Sequence, residues 1–583
     1  MRAYQKLRKV FCRFVDYVLC DNFLIFHIKE ILYTMVHNNK SGSTDVSEKK
    51  KIQETRDSII IEDVSNTKIA DFEMAISAAG TGKFQYLLIL AIIPASWASS
   101  IDTGNMSMIL SSAECDLGLS LFNKGLLNAV IYVGMVLSGF IWGYLADVKG
   151  RKNVIFYGYM ADGICNLLAG FSQNFETLVF FKFLSGFLVS GPHATLMAYC
   201  SEFYGAKGRT KIPLIVGFSV SVGCVVNAAL AWMVVPQSWL FVFWDGAFVY
   251  NSWRIFLSLC GVSTLLGIIC LCFFPESPKF LMTQNRNEEA LEVFKRIYSM
   301  NTGLPKDDYP IRALGDVNLN NTTTTQSNSL ESQKSTKSCF KNGIQQMKPL
   351  CSNPHLSRIL LLVTIQFGGM LCLNTLRLWQ PQLFATIHNF DHLDTNITNP
   401  TFCEILDIST SATTMSDLNK TVAFEEISSC ENIIVSDATY IDTVIVATTS
   451  SIFILSGSVF VNFLEHKYLS LISYGCALLC LISLIWSTNT LTTLVLTCLN
   501  LGLLCLTFNV VVGATVLLFP TSLRAMAVSM QMIVGRIGAM LGNLIFPILL
   551  AYGCVTPIIN LACFTLLCIL LTYFLPSTRK HAV

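Results

Sequence analysis

Charge is what this sequence has least of. Asp, Glu, Lys and Arg make up 13% of its 583 residues, where a soluble domain carries about 25%. With 52% hydrophobic residues, that scarcity excludes a string of water-soluble domains and leaves a polytopic membrane protein. Net charge is also small, a formal +2, so no global basic field argues for nucleic acid. Catalytic signatures are missing too. No Cys pair has zinc spacing, and there is neither a nucleophile elbow nor a nucleotide loop. No enzyme activity, metal or other cofactor is therefore expected. Gly80-Thr81-Gly82-Lys83 hints at a phosphate loop. It lacks that loop's first glycine, and Phe84 stands where Ser or Thr should follow Lys83. No signal peptide is expected at the start of this sequence either. The first apolar stretch, Val10 to Val36, is broken by Arg13, Asp16, Asp21, Lys29 and Glu30, too many charges to bury in a bilayer. It suits an amphipathic surface helix or a dispensable extension. Cysteine is plentiful, 21 in all. Most lie inside apolar runs (Cys165, Cys200, Cys224, Cys260, Cys270, Cys272), where they serve as small buried residues.

What the chain does have is apolar runs of membrane length. After polar residues 37–70, spans are expected near 84–104, 124–146, 153–171, 176–200, 212–235 and 254–274, then near 357–379, 440–463, 468–487, 491–518, 526–550 and 555–575. Each approaches the ~20 residues that cross the hydrocarbon core. The expected organisation is a cytoplasmic N-terminal region (1–83), a six-helix bundle (84–274), a cytoplasmic linker (275–356), a second six-helix bundle (357–575) and a cytoplasmic tail (576–583). The positive-inside rule sets the orientation. Lys149, Arg151, Lys152, Lys207, Arg209, Lys211, Arg524, Arg579 and Lys580 fall in the inner loops, and Lys124, Arg377 and Lys420 in the outer ones. Both termini are then cytoplasmic, and Trp232, Trp253, Trp379 and Trp486 fall at outer helix ends as interfacial anchors. In the linker, Asn287–Met300 reads as a helix with an apolar face of Ala290, Leu291, Phe294, Ile297 and Tyr298. Residues 318–338, rich in Asn, Thr and Ser, read as disordered. The outer loop 380–439 carries glycosylation sequons at Asn396 and Asn419. Its two cysteines, Cys403 and Cys430, are expected to pair in an oxidising compartment. Asn105 lies at a helix end, too near the membrane to be modified.

Between the second and third spans stands Gly143 to Lys152, GYLADVKGRK. An acid, three bases and two glycines in one short turn suit a tight helix connection at a membrane face. Gly143 would let a neighbouring helix approach, and Asp147 could pair with Arg151. The spacing G-x-x-x-D-x-x-G-R-K resembles the loop between helices two and three of the major facilitator superfamily. Other segments extend the resemblance: Ser112-Ala113-Glu114-Cys115-Asp116-Leu117 after helix one, Lys182-Phe183-Leu184-Ser185-Gly186 in helix four, Ser201-Glu202-Phe203 at its end, Trp253-Arg254 at the start of helix six, Pro275-Glu276-Ser277-Pro278-Lys279-Phe280, and Pro520-Thr521-Ser522-Leu523-Arg524 after helix ten. With the sequon-bearing loop after helix seven, the pattern is similar to the synaptic vesicle glycoprotein 2-related branch. The resemblance implies an all-α membrane fold of twelve helices in two six-helix bundles. It implies a monomeric carrier of a small organic solute by alternating access, with or without proton coupling, in a plasma or secretory and synaptic-type vesicle membrane. It also implies that Gly143, Asp147, Gly150 and Arg151 form an inner gate, with Arg524 as a partner. The second-half copy of the gate, Asn462 to Lys467, has lost its Asp and its Gly-Arg. That erosion, the long linker and the outer loop keep open a second reading: a glycoprotein that retains the carrier fold but acts in trafficking or as a receptor.

Charges inside spans cost at least ~2.5–3.5 kcal/mol each at the helix centre, and so mark function or pairing. Asp102 on helix one and Lys182 on helix four are expected to meet. In related sugar carriers such a pair is proton-linked, and protonation of Asp102 would loosen it. Arg536, mid-helix eleven, would recognise an anionic or polar substrate, or join a buried structural pair. Asp162 suits a structural pair. Asn128, Asn227 and Asn509 could donate to a polar solute or bond between helices. Gly134, Gly139, Gly186, Gly191, Gly538 and Gly542 suit close helix packing.

Overall fold

The computed structural model describes residues 70–209, 212–315, 350, 352, 355–391, 400–409 and 436–576. Among the described residues twelve long helices follow one another: Lys83–Ile109, Leu121–Lys149, Arg151–Gly170, Phe175–Ser201, Ile212–Val234, Ser252–Cys272, His355–Asp391, Asp437–Phe463, His466–Ser483, Thr490–Leu518, Thr521–Leu550 and Val555–Tyr573. They are numbered here as spans one to twelve. Eleven are long and apolar enough to cross a membrane. The exception, span three, begins with Arg151 and Lys152 and carries the buried Asp162. Helices satisfy every backbone group internally, which is why apolar runs of this length fold no other way in lipid.

The boundaries have local causes. Ser120 caps span two through its hydroxyl, which accepts from the Asn123 amide at 3.2 Å, and Asn489 caps span ten through its side-chain carbonyl oxygen, which accepts from the Leu491 amide at 3.4 Å. Between spans two and three the chain turns at Gly150, whose φ of +98° and ψ of 155° lie in a region open essentially to glycine. A side chain there would also run into the Glu276 carboxylate. Gly134 and Gly186 let spans two and four touch backbone to backbone, as Gly538 and Gly542 do for spans eleven and seven.

Beyond the spans, the linker builds a cap at the end of the molecule that carries Gly150. Its helix Asn287–Thr302 buries Ala290, Val293, Phe294 and Ile297. This face packs against the short helix Phe72–Ala79, with the Phe72 and Phe294 rings 6.0 Å apart. Asn301 donates to the Gly80 carbonyl at 3.0 Å and accepts from the Phe84 amide at 3.0 Å, so the linker holds the start of span one. The Tyr309 hydroxyl donates to the Ala75 carbonyl at 2.7 Å, and burial pushes that phenol up, keeping it a donor. At the opposite end a hairpin, Leu240–Phe243 paired with Phe248–Asn251, joins spans five and six. Its sequence signal is Asp245-Gly246 between two runs of aromatic and β-branched residues.

Several expectations are corrected. Span seven runs on to Asp391, so the outer loop does not begin at 380. Arg377 and Trp379 therefore sit within a helix, and Trp379 is fully buried against Phe546. Trp253 is buried too, its indole donating to Asp116 at 2.8 Å. Trp232 and Trp486 keep the exposure expected of interfacial anchors. Lys124 is no loop residue: it lies in the first turn of span two, paired with Glu114 at 2.7 Å. Asn105 is buried inside span one. Cys403 pairs with Cys554 in the turn between spans eleven and twelve, not with Cys430. Segment 402–409 lies against that turn, where the Cys554 amide donates to Asp407 at 2.6 Å. Cys430, Asn396 and Asn419 lie outside the described residues.

Candidate functional site

Three groups of polar side chains among the described residues bear on function. The first lies inside the first bundle. Asp102 of span one and Lys182 of span four form an ion pair at 3.7 Å, both buried to within 1%. Asn166 of span three joins them. Its amide donates to Asp102 at 2.6 Å, and its carbonyl oxygen accepts from the Lys182 ammonium at 3.0 Å. Asp162, one turn earlier, accepts from Ser185 at 2.8 Å and lies 3.3 Å from the same Asn166 amide. Asp162 is thus part of the Asp102–Lys182 cluster rather than a separate structural pair. The second oxygens of Asp102 and Asp162 are buried without a hydrogen bond. Two carboxylates face one ammonium, so the cluster carries one negative charge when all three are ionised. Burying that charge is costly, and one added proton removes it. Sequence reasoning did not assign Asn166 or Ser185 to this pair, because the contacts that join them to it run between helices far apart in the chain.

A second group lies where the two bundles meet, near the middle of the spans. Arg536 reaches from span eleven to Ser190 of span four, at 2.8 Å, and to the Met135 carbonyl of span two, at 3.5 Å. Arg377 of span seven donates to Asn374 at 3.0 Å, and the same Asn374 oxygen accepts from Tyr132 of span two at 3.0 Å. Asn128 donates to the Leu378 carbonyl at 3.3 Å, so it too bridges the halves. Asn227 is buried beside Gly104 with its carbonyl oxygen unpartnered. Asn509 is exposed and donates only to Cys505 one turn back.

The third group is at the basic end. Arg151 donates to Asp147 at 2.8 Å and to the Ala146 carbonyl at 2.7 Å. Its Nε lies 3.6 Å from Glu202, which also accepts from Ser277. Glu276 accepts from the Lys152 amide at 3.0 Å and so fixes the start of span three. Glu202 and Glu276 belong to the motifs Ser201-Glu202-Phe203 and Pro275 to Phe280, yet their place beside Arg151 and Lys152 was not foreseen. Arg524 makes no ion pair among the described residues, and Gly143 has no neighbour within 4 Å of where a Cβ would stand. Gly143 is exposed and lacks the close helix approach expected of it. At the opposite end the halves touch. A Cβ on Gly125 of span two would come within 2.6 Å of Pro547 on span eleven. Gln382 and Tyr440 of the second half bond to Ser111 and to the Met108 carbonyl of the first, at 2.9 and 3.1 Å.

Comparison with known proteins accords with this architecture. The family model described as "Sugar (and other) transporter" matches residues 74–398, more than half of the chain. Human synaptic vesicle glycoprotein 2C is 30% identical over 231 residues, 40% of this chain and 32% of that protein. Rat synaptic vesicle glycoprotein 2B is 31% identical over 231 residues, 40% of this chain and 34% of its own length. The matched stretch therefore spans about a third of these relatives. Among solved structures, the E. coli xylose transporter XylE in a partially occluded inward-open conformation superposes with a TM-score of 0.58 at 15% identity, covering 86% of this chain and 99% of XylE. A bacterial homologue of the human lysosomal transporter Spinster, inward-facing, gives 0.53 at 12% identity, covering 86% and 98%. The chain is a multi-pass membrane protein with the major facilitator fold, and it belongs to the sugar (and other) transporter family.

Proposed function

We propose that the chain carries a small organic solute across a membrane by alternating access, with proton coupling through the Asp102 cluster. The carrying observation is the profile along span two. At Gly125 it is pressed against span eleven; at Gly139 the nearest atom, of Ile533, is 4.0 Å from a Cβ; at Gly143 there is none. Two halves in contact at one end and apart at the other, with buried charge between, support a rocking carrier. The basic residues at the open end support a cytoplasmic assignment for it. The Cys403–Cys554 disulfide at the closed end supports an oxidising side there. The membrane is then that of the cell surface or of a secretory-type vesicle.

In this reading the Asp147–Arg151–Glu202 network and Glu276 hold the first-half gate, and Arg524 meets it when the open end closes. The Asp102–Asp162–Lys182 cluster is the coupling site. Protonation of one carboxylate weakens the hold of span one on spans three and four and biases the equilibrium between the two states. A relative in fold is named as a D-xylose–proton symporter, which accords with a proton site on this scaffold.

The test is uptake into sealed liposomes holding the purified full chain, with a panel of labelled small solutes and a pH series. Uptake above empty liposomes, with pH dependence lost in Asp102→Asn, is expected. Asp102→Asn matching wild type at every pH would overturn the coupling. Absence of any uptake, with a protein partner captured by segment 279–358, would favour the trafficking or receptor reading.

A further inference from the structure

Bases inside a bilayer are expected to find acids. In the first bundle they do: Lys182 meets Asp102 at 3.7 Å, Lys124 meets Glu114 at 2.7 Å, and Arg254 meets Asp116 at 3.1 Å. Arg377 and Arg536 break that pattern. Arg536 donates only to a hydroxyl and a carbonyl, those of Ser190 and Met135. Arg377 donates to the Asn374 amide oxygen and lies 3.8 Å from the Cys224 sulfur, and its Nε is buried with no partner at all. Among the described residues, no ion pair joins either guanidinium to a carboxylate. His193, one turn from Ser190, adds a buried ring nitrogen without a partner and feels the Arg536 charge.

A guanidinium stays charged under all ordinary conditions. Two of them share the boundary between the halves, and among the described residues no carboxylate bonds to either. Both side chains are half-buried, and partial desolvation of an unpaired charge is costly. An anion from outside the chain would supply the missing charge. The planar fork of Arg matches a carboxylate through two parallel hydrogen bonds, and this geometry is what distinguishes it from Lys.

The geometry points to a site for a small organic anion bearing a carboxylate, held between the bundles by Arg377 and Arg536 with Tyr132, Ser190 and Asn374 as neutral donors. The assignment rests on the carrier reading and specifies its solute class. A neutral sugar offers hydroxyls alone and leaves both guanidinium groups uncompensated. An anion that binds both arginines of the second half touches Tyr132 and Ser190 of the first, so its arrival draws the two halves together.

Thermal unfolding of the detergent-purified full chain tests the assignment without requiring transport. The probes are succinate, salicylate, sulfate, choline and xylose. Ligand binding to the native state raises apparent stability. Succinate or salicylate is expected to stabilise wild type, with sulfate, choline and xylose inert. In Arg536→Gln and Arg377→Gln the half-saturating concentration should rise by about tenfold or more, the effect of losing a charge-assisted hydrogen bond. Arg536→Lys and Arg377→Lys keep the charge and remove the fork. They serve where the glutamine variants do not fold, and the same weakening is expected. Stabilisation by xylose or choline in place of the carboxylates would overturn the assignment. So would stabilisation by sulfate alone, carboxylate binding unchanged in all four variants, or no response to either carboxylate. Uptake of a neutral solute without a carboxylate response would sink this assignment and leave the carrier reading standing. Carboxylate binding without uptake of any solute would do the reverse.

Discussion

Lys182 is the residue on which most of the buried charge depends. It has no exposed surface, and it is the single cation among Asp102, Asp162 and Asn166. Lys182→Ala leaves two carboxylates buried with no counter-charge, and breaking a buried pair in this way costs about 3–5 kcal/mol. A corresponding fall in unfolding midpoint is expected, partly restored in the double variant Lys182→Ala, Asp102→Asn. A double-mutant cycle measures the coupling, and a Lys182→Ala midpoint equal to wild type would refute it. Asp162→Asn has a different outcome. It leaves one acid facing one base, a neutral pair with no net charge for a proton to relieve. Normal expression is expected, with uptake that no longer responds to pH. Retention of the wild-type pH profile would remove Asp162 from the coupling site. The Asp102–Lys182 meeting is legible from sequence because charges on spans are rare and two of them invite pairing. Asp162 is harder to place, because nothing in its own helix reveals that Asn166, one turn on, brings it to Asp102. Arg377 reads as a loop residue in sequence, which hides the second unpaired cation beside Arg536.

The misplacement of Arg377 has a cause at the scale of the element. After Trp379 the chain turns polar, with Gln380, Pro381, Gln382 and His388, and hydropathy ends the span there. The helix continues because these polar groups find partners on other segments. Gln380 donates to Thr443 at 3.2 Å, Gln382 accepts from Ser111 at 2.9 Å, and His388 meets Asp442 at 2.9 Å. Membrane helices tolerate a proline such as Pro381 when neighbours satisfy the freed backbone. Cysteine pairing is obscured in a similar way. Cys430 shares a loop with Cys403, whereas Cys554 lies 151 residues further on, and only the fold brings the turn between spans eleven and twelve alongside. The tight turn between spans two and three, by contrast, is evident in GYLADVKGRK, and its glycine is constrained twice over. Gly150→Ala meets a backbone region that costs about 1–3 kcal/mol for other residues, and its methyl group would displace the Glu276 carboxylate that holds the Lys152 amide. Thermal unfolding should fall accordingly, and an unchanged midpoint would show that the turn relaxes freely.

For the whole molecule, the twelve spans and their division into two bundles follow from run length and charge placement, but which end stands open does not. Both gates are written in the same sequence, and the conformation is a balance of contacts between halves. That balance offers a direct intervention at Gly125, where span two rests on Pro547 and the Asn543 carbonyl, 2.6 and 2.7 Å from where a Cβ would stand. No Trp side chain fits that gap, so Gly125→Trp must hold spans two and eleven apart at the closed end. The two states of a carrier differ by a few kcal/mol, and a ligand or a steric wedge shifts them only by its difference between the two. The wedge acts on one state alone. It leaves the cluster at Asp102 and the arginines at 377 and 536 in place, so carboxylate binding should survive. Uptake should be lost, and a single cysteine introduced at Ser111 should react with a membrane-impermeant maleimide faster than in the parent, as the closed end opens. A second cysteine reporter at Gly143 should react more slowly as the gate around Asp147 and Arg151 closes on Arg524. If Gly125→Trp leaves both labelling rates where they were and still abolishes uptake, the two ends are not coupled, and rocking of two rigid bundles is the wrong description of this chain.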